Sequence, residues 1–90
     1  MLSKDIYVVE GFRTPFCKFG TDLANEQVAH LGIVPSKAVF TSSGIDPADV
    51  DEVVFGCCNQ TPTMMGNVSR TIAVRSGVPV SVPAVTVHRN

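Results

Sequence analysis

Tryptophan is missing from this chain, tyrosine occurs once, and no apolar stretch approaches the length needed to cross a membrane. Neither sign of charge dominates: 7 Lys and Arg stand against 8 Asp and Glu, a net charge of −1. Without a run of either sign, the chain lacks the electrostatic footprint used to hold nucleic acid or an anionic membrane surface, and neither partner is expected. The opening MLSKDIYVVEG sets Lys4, Asp5 and Glu10 around a short apolar run, too brief for the core of a signal peptide. A cytoplasmic location is therefore expected. Cysteine is scarce and odd in number: Cys17, Cys57 and Cys58, the last two adjacent, do not form the paired framework of a secreted mini-protein and fit a reducing compartment. With His30 and His88 they offer neither a C-x₂-C nor an H-x₃-H pair, so no metal site is expected.

What remains is ordinary α/β material, 90 residues with 44% apolar side chains, 7 Gly and 6 Pro. That length allows one domain at most, with a marginal core. DIYVVEG at 5–11 and EVVFG at 52–56 have the apolar density and β-branched content of strands covered on both faces, as in a parallel sheet. Between them Val28, Leu31, Val34, Ala38 and Val39 fall on one helical stripe, and Gly44 is placed to end that helix in the left-handed conformation. Pro35 interrupts the pattern and predicts a kink or a late start. Asp46 followed by Pro47 and Asp49 reads as a capped helical turn leading into the second strand.

Beyond that strand, GCCNQTPTMMGN is a loop, and a second helix starts near Asn67 and stops at Gly77, with Val68, Thr71 and Ile72 toward the sheet. Pro79 and Pro83 delay the last strand until AVTVH, from Ala84. The order is β-α-β-α-β. Because crossovers between parallel strands are right-handed, three strands laid down in one direction put both helices on the same face. The opposite face and one edge of the first strand then have nothing in the chain to cover them, the mark of part of a domain.

Few residues offer chemistry. Cys57 and Cys58 sit where a parallel strand runs out, the usual place for a site in an open α/β sheet. One reading makes one of them a nucleophile; the other packs one thiol into the core while its neighbour faces the loop, and no base is readable nearby. His30 falls at the edge of the first helix's exposed face, whereas His88 shares a strand face with Ala84 and Thr86 at the C-terminal end. Arg13, Lys18 and Gly20 occupy a loop that is neither G-x-G-x-x-G nor a P-loop, and Arg70 and Arg75 read as surface residues of the second helix.

Three stretches in order carry a resemblance: VVEGFRTPFCKFGTDLA, LGIVPSKAVFTSSGIDPADVDEVVFG and NQTPTMMGNVSRTIAVRSGVPVSVPAVTVHRN. The Arg-Thr-Pro followed by Lys-Phe-Gly, the Gly-Ile-Asp-Pro run and the Gly-Val-Pro-Val approach to Thr-Val resemble, in order and spacing, the opening of a thiolase, and the likeness covers essentially the whole chain. Cys57–Cys58, where the family commonly has Asn-Val, and Pro35, inside a segment that is normally unbroken helix, depart from it.

The resemblance implies an incomplete N-terminal thiolase domain over residues 1–90: a mostly parallel α/β arrangement, the βαβαβ portion (three strands, two helices) of a βαβαβαββ half. It implies a parent acyl-CoA C-acyltransferase, with a place in fatty-acid metabolism and β-oxidation. A cysteine thioester would carry the acyl group between CoA thioesters, with no cofactor beyond those substrates. By family register the nucleophilic cysteine follows Asn90, so the chain alone holds no catalytic residue and is expected to be inactive. His88, Arg89 and Asn90 form the approach to it, and Asn67 with Arg70 matches a family Asn-x-x-Arg near the subunit interface. A homodimer or tetramer is implied, with a fatty-acid oxidation subunit as a further partner. The competing expectation is a non-catalytic thiolase-like carrier or interaction module.

Overall fold

A computed structural model describes residues 4–58 and 67–88. In chain order it contains helix α1 (Val28–Ser43), a single 3-10 turn (Pro47–Asp49), strand β1 (Val53–Cys57), helix α2 (Val68–Arg75) and strand β2 (Ala84–His88). The two strands pair in parallel, from Val53 opposite Ala84 to Cys57 opposite His88, so their C-terminal ends lie level. Val53, Phe55 and Cys57 of β1 and Ala84 and Thr86 of β2 are half-buried, while the intervening Val54, Gly56, Val85 and Val87 are exposed. That alternation puts both helices on one face of the sheet and leaves the other uncovered among the described residues; the right-handed crossover accounts for α2, which joins β1 to β2, whereas α1 precedes β1 and reaches this face by packing on α2.

The local signals around the helices act as expected. Gly44 closes α1 at φ 75° and returns its N–H to the Phe40 carbonyl. Asp46 caps the short turn by accepting from the Ala48 N–H, with Pro47 at its first position. Asn67 precedes α2 as its cap, and Gly77, at φ 98°, lets the chain turn away toward β2.

The face of α1 differs from the predicted stripe. Ala29 and Ile33 are the buried residues, while Val28 and Val34 are exposed. The cause lies at Gly32, which has no β-carbon to hold the helices apart and lies directly against Ile72 of α2. The close crossing turns the line through Ala29, Gly32, Ile33 and Ser36 toward α2, so the small residues that allow the approach select the face and Ile33 supplies its apolar bulk. Pro35 does not delay the start of the helix, which begins at Val28 and runs through it. Pro35 has no N–H for the Leu31 carbonyl, and on the next residue the Ser36 hydroxyl donates to the Gly32 carbonyl at 2.7 Å.

The expected first strand at 5–11 is absent from the sheet among the described residues, which holds β1 and β2. Ile6, Tyr7, Val8 and Val9 are between 65% and 96% exposed. Apolar density signals that a segment is buried, but a strand also needs a neighbour to complete its ladder, and this segment pairs with neither described strand. Among the described residues its polar contacts are local, apart from Glu10 Oε2, which accepts from the Ser42 hydroxyl at the end of α1 at 2.8 Å.

The core is small and in two parts. Ala29, Ile33, Val68 and Ile72 form one cluster, with Phe55 and Cys57 packed on it. Ala73, Val78 and Val82 form the other, bordered by Phe40, Val50, Val53 and Ala84. Between them a cavity of about 150 Å³ opens against Phe40, Phe55 and Ile72. Ser76 borders it with a buried hydroxyl that has no hydrogen-bond partner among the described residues.

Candidate functional site

Open α/β sheets place their sites at the C-terminal ends of the strands, and here those ends carry Cys57 and His88 as register partners. Cys57 faces the helices and packs on the Ala29–Ile33–Val68–Ile72 cluster. Cys58 follows the strand in a bend and is exposed. One thiol thus packs on the core while its neighbour looks outward. His88 is exposed as the last residue of β2. Arg89 and Asn90, expected to continue toward the site, lie outside the described residues.

The end of β2 is fixed from the side by the start of α2. The first turn of a helix has N–H groups with no partner inside the helix. Two of these are satisfied by polar side chains: the Arg70 N–H donates to Asn67 Oδ1 at 3.2 Å, and the Ser69 N–H donates to Thr86 Oγ1, across on β2, at 3.0 Å. The Thr86 hydroxyl in turn donates to Asn67 Oδ1 at 2.6 Å, and Asn67 Nδ2 donates to the Ala84 carbonyl at 3.1 Å. The Ser69 hydroxyl donates to the Val53 carbonyl at 3.3 Å, which extends the network to β1. Ser69 is fully buried, so its amide depends on Thr86.

The two residues first read together as Asn-x-x-Arg have separate work. Asn67 joins helix to strand, whereas Arg70 sends Nη1 to the Val80 carbonyl at 3.3 Å, bracing the turn that leads into β2. Thr86 and Ser69 were not candidates in the sequence. Thr86 could have been noticed as the one polar residue between Ala84 and His88 on the inward face of a strand, a position that needs a hydrogen-bond partner.

The remaining candidates do not converge. Arg13 donates to the Thr14 carbonyl at 3.0 Å and stacks 4.4 Å above the Phe16 ring, while Lys18 lines a separate hollow with Cys17 and Gly20. The loop therefore does not gather Arg13 and Lys18 around one anion site. His30 lies 3.7 Å from Glu26 on the exposed side of α1, and Arg75 is exposed nearby. Among the described residues no group of three or more His, Cys, Asp or Glu is placed to hold a metal ion, and no helix is long and apolar enough to cross a membrane.

Comparison with known proteins gives one consistent result. Residues 6–90 match the family model for the thiolase N-terminal domain. The β-ketoadipyl-CoA thiolase of Acinetobacter baylyi is 39% identical over 87 residues, 96% of this chain but 22% of the relative. The acetyl-CoA acetyltransferase of Cupriavidus necator is 35% identical over 85 residues, 94% of this chain and 21% of the relative. Among solved structures, a thiolase from Ascaris suum in complex with coenzyme A superposes with a TM-score of 0.87 at 28% identity, over 96% of this chain and 22% of that one. The chain thus spans about a fifth of the length of the proteins it matches.

Proposed function

This chain belongs to the thiolase family, whose N-terminal domain it carries, and we propose that the protein containing it is an acyl-CoA C-acyltransferase that works through a cysteine thioester. The observation that carries this reading is the match to the thiolase N-terminal domain over residues 6–90, with a fold superposing on a thiolase at a TM-score of 0.87. The proposed substrates are 3-ketoacyl-CoA thioesters, the class to which the substrate named for the Acinetobacter baylyi relative belongs. Coenzyme A is the proposed ligand, as in the Ascaris suum complex.

In this proposal the nucleophilic cysteine follows Asn90, and His88, Arg89 and Asn90 lead to it from the end of β2. Its thiolate attacks the 3-keto carbon of a 3-ketoacyl-CoA, the bond between the second and third carbons breaks, and the acetyl-CoA carbanion released takes a proton. The acyl group left on sulfur passes to the thiolate of coenzyme A, which regenerates the cysteine; in the synthetic direction the carbanion of a second acetyl-CoA takes it. No cofactor beyond the CoA thioesters is required. A cytoplasmic homodimer or tetramer acting in fatty-acid degradation is the proposed setting, with a fatty-acid oxidation subunit as a further proposed partner.

Thiolysis of acetoacetyl-CoA by the full-length protein tests the reading. Production of acetyl-CoA dependent on coenzyme A is expected. A folded protein that binds coenzyme A without consuming acetoacetyl-CoA would instead make it a non-catalytic carrier.

A further inference from the structure

We propose that Thr86 is a positioning residue for the nucleophile, held in place by Asn67. The inference rests on the acyl-transfer reading above and adds a specific role for two side chains in this domain. Thr86 lies two residues before the end of β2 and faces α2. Its hydroxyl has a defined direction because it serves both partners: it accepts from the buried Ser69 N–H and donates to Asn67 Oδ1. Asn67 completes the clamp by donating to the Ala84 carbonyl, so β2 is gripped at two positions on the same side.

The grip has a consequence beyond stability. The ladder to β1 fixes the spacing of the strands, but a parallel pair leaves β2 free to tilt about that ladder. Bonds from α2 to Ala84 and Thr86 restrain this tilt just before the chain continues through His88 toward the proposed nucleophile. A small rotation at Thr86 is carried along the chain, and a misplacement of about 1 Å at a reacting atom lowers a rate by about 100-fold. A change confined to the tilt of β2 is expected to act on the rate, with substrate affinity little altered.

The test uses the full-length protein with Thr86→Val, Thr86→Ser and Asn67→Leu. Thr86→Val keeps the shape and removes both hydrogen bonds, whereas Thr86→Ser keeps the hydroxyl. In acetoacetyl-CoA thiolysis, Thr86→Val should lower kcat by about tenfold or more while KM stays within about twofold. Thr86→Ser should restore most of the rate. The pH profile of iodoacetamide alkylation at the nucleophile should move in Thr86→Val and return in Thr86→Ser, which a change in folding stability alone would not do. Asn67 is exposed, so Asn67→Leu carries the same test if Thr86→Val does not fold, with the same loss of kcat expected. Wild-type kcat in either folded variant, or equal impairment of Thr86→Val and Thr86→Ser, overturns the positioning role and leaves acyl transfer intact. A wild-type protein with neither thiolysis nor an acyl-enzyme overturns both.

Discussion

Ile72 of α2 lies directly on Gly32 of α1: a β-carbon added at Gly32 would run into Ile72 Cδ1 and come within 3.0 Å of Cγ1. This contact sets the distance between the helices and, with it, the face that α1 presents. Gly32→Ala gains about 1 kcal/mol of helix propensity but incurs about 1–3 kcal/mol of overpacking, so a net loss is expected. The denaturation midpoint of the full-length protein measures it. Ile72→Val shortens the opposing side chain and should make Gly32→Ala nearly neutral; an undiminished penalty in the double variant would mean that the crossing is set elsewhere.

The Asn67 side chain makes three hydrogen bonds at the start of α2. Asn67→Ala removes both the helix cap and the tie to β2, and because the site is exposed the expected loss is about 1–2 kcal/mol. Asn67→Asp retains the acceptor for the Arg70 N–H and the Thr86 hydroxyl and loses the donor to Ala84, so it should fall between wild type and alanine in thermal unfolding. An aspartate variant less stable than the alanine one would contradict the assigned roles.

Ser76 buries a hydroxyl that has no partner among the described residues, beside an apolar cavity. Ser76→Ala removes the unsatisfied group and is expected to raise stability by about 1 kcal/mol. A loss of similar size on thermal or chemical unfolding would show that the hydroxyl is satisfied in solution.

Pro35 lies inside a continuous helix. Pro35→Ala restores a donor to the Leu31 carbonyl and relieves up to about 3 kcal/mol of helix penalty, partly offset by about 0.4–1 kcal/mol of added freedom in the unfolded chain. A net gain of about 1–2 kcal/mol should appear as a higher denaturation midpoint. A lower one would mean that the half-buried ring contributes more by packing than it costs in the helix.

Local signals in the sequence were the most legible. Gly44, Asp46, Pro47 and Gly77 mark their turns because each depends only on its own backbone conformation. The second helix and the final strand were readable from periodicity and alternation, and the side on which α2 lies follows from the handedness of the β1–α2–β2 crossover. The packing face of α1 was not, because hydropathy favours Val28 and Val34 whereas the close helix crossing is made by Ala29 and Gly32. The segment at 5–11 has a strand's composition, but composition does not supply a pairing partner. At the candidate site, the inward face through Ala84 and Thr86 was visible in the alternation. That Thr86 completes the cap of a helix seventeen residues earlier in the chain depends on tertiary contact, which spacing does not encode.

The central proposal is acyl transfer through a cysteine that follows Asn90, and the intact mass of the full-length protein after brief exposure to acetyl-CoA tests it most directly. The account predicts a gain of one acetyl group, lost again on adding coenzyme A and mapped by proteolysis to a cysteine immediately after Asn90. Acetylation confined to Cys57 or Cys58, or no covalent species in a folded protein, would contradict it.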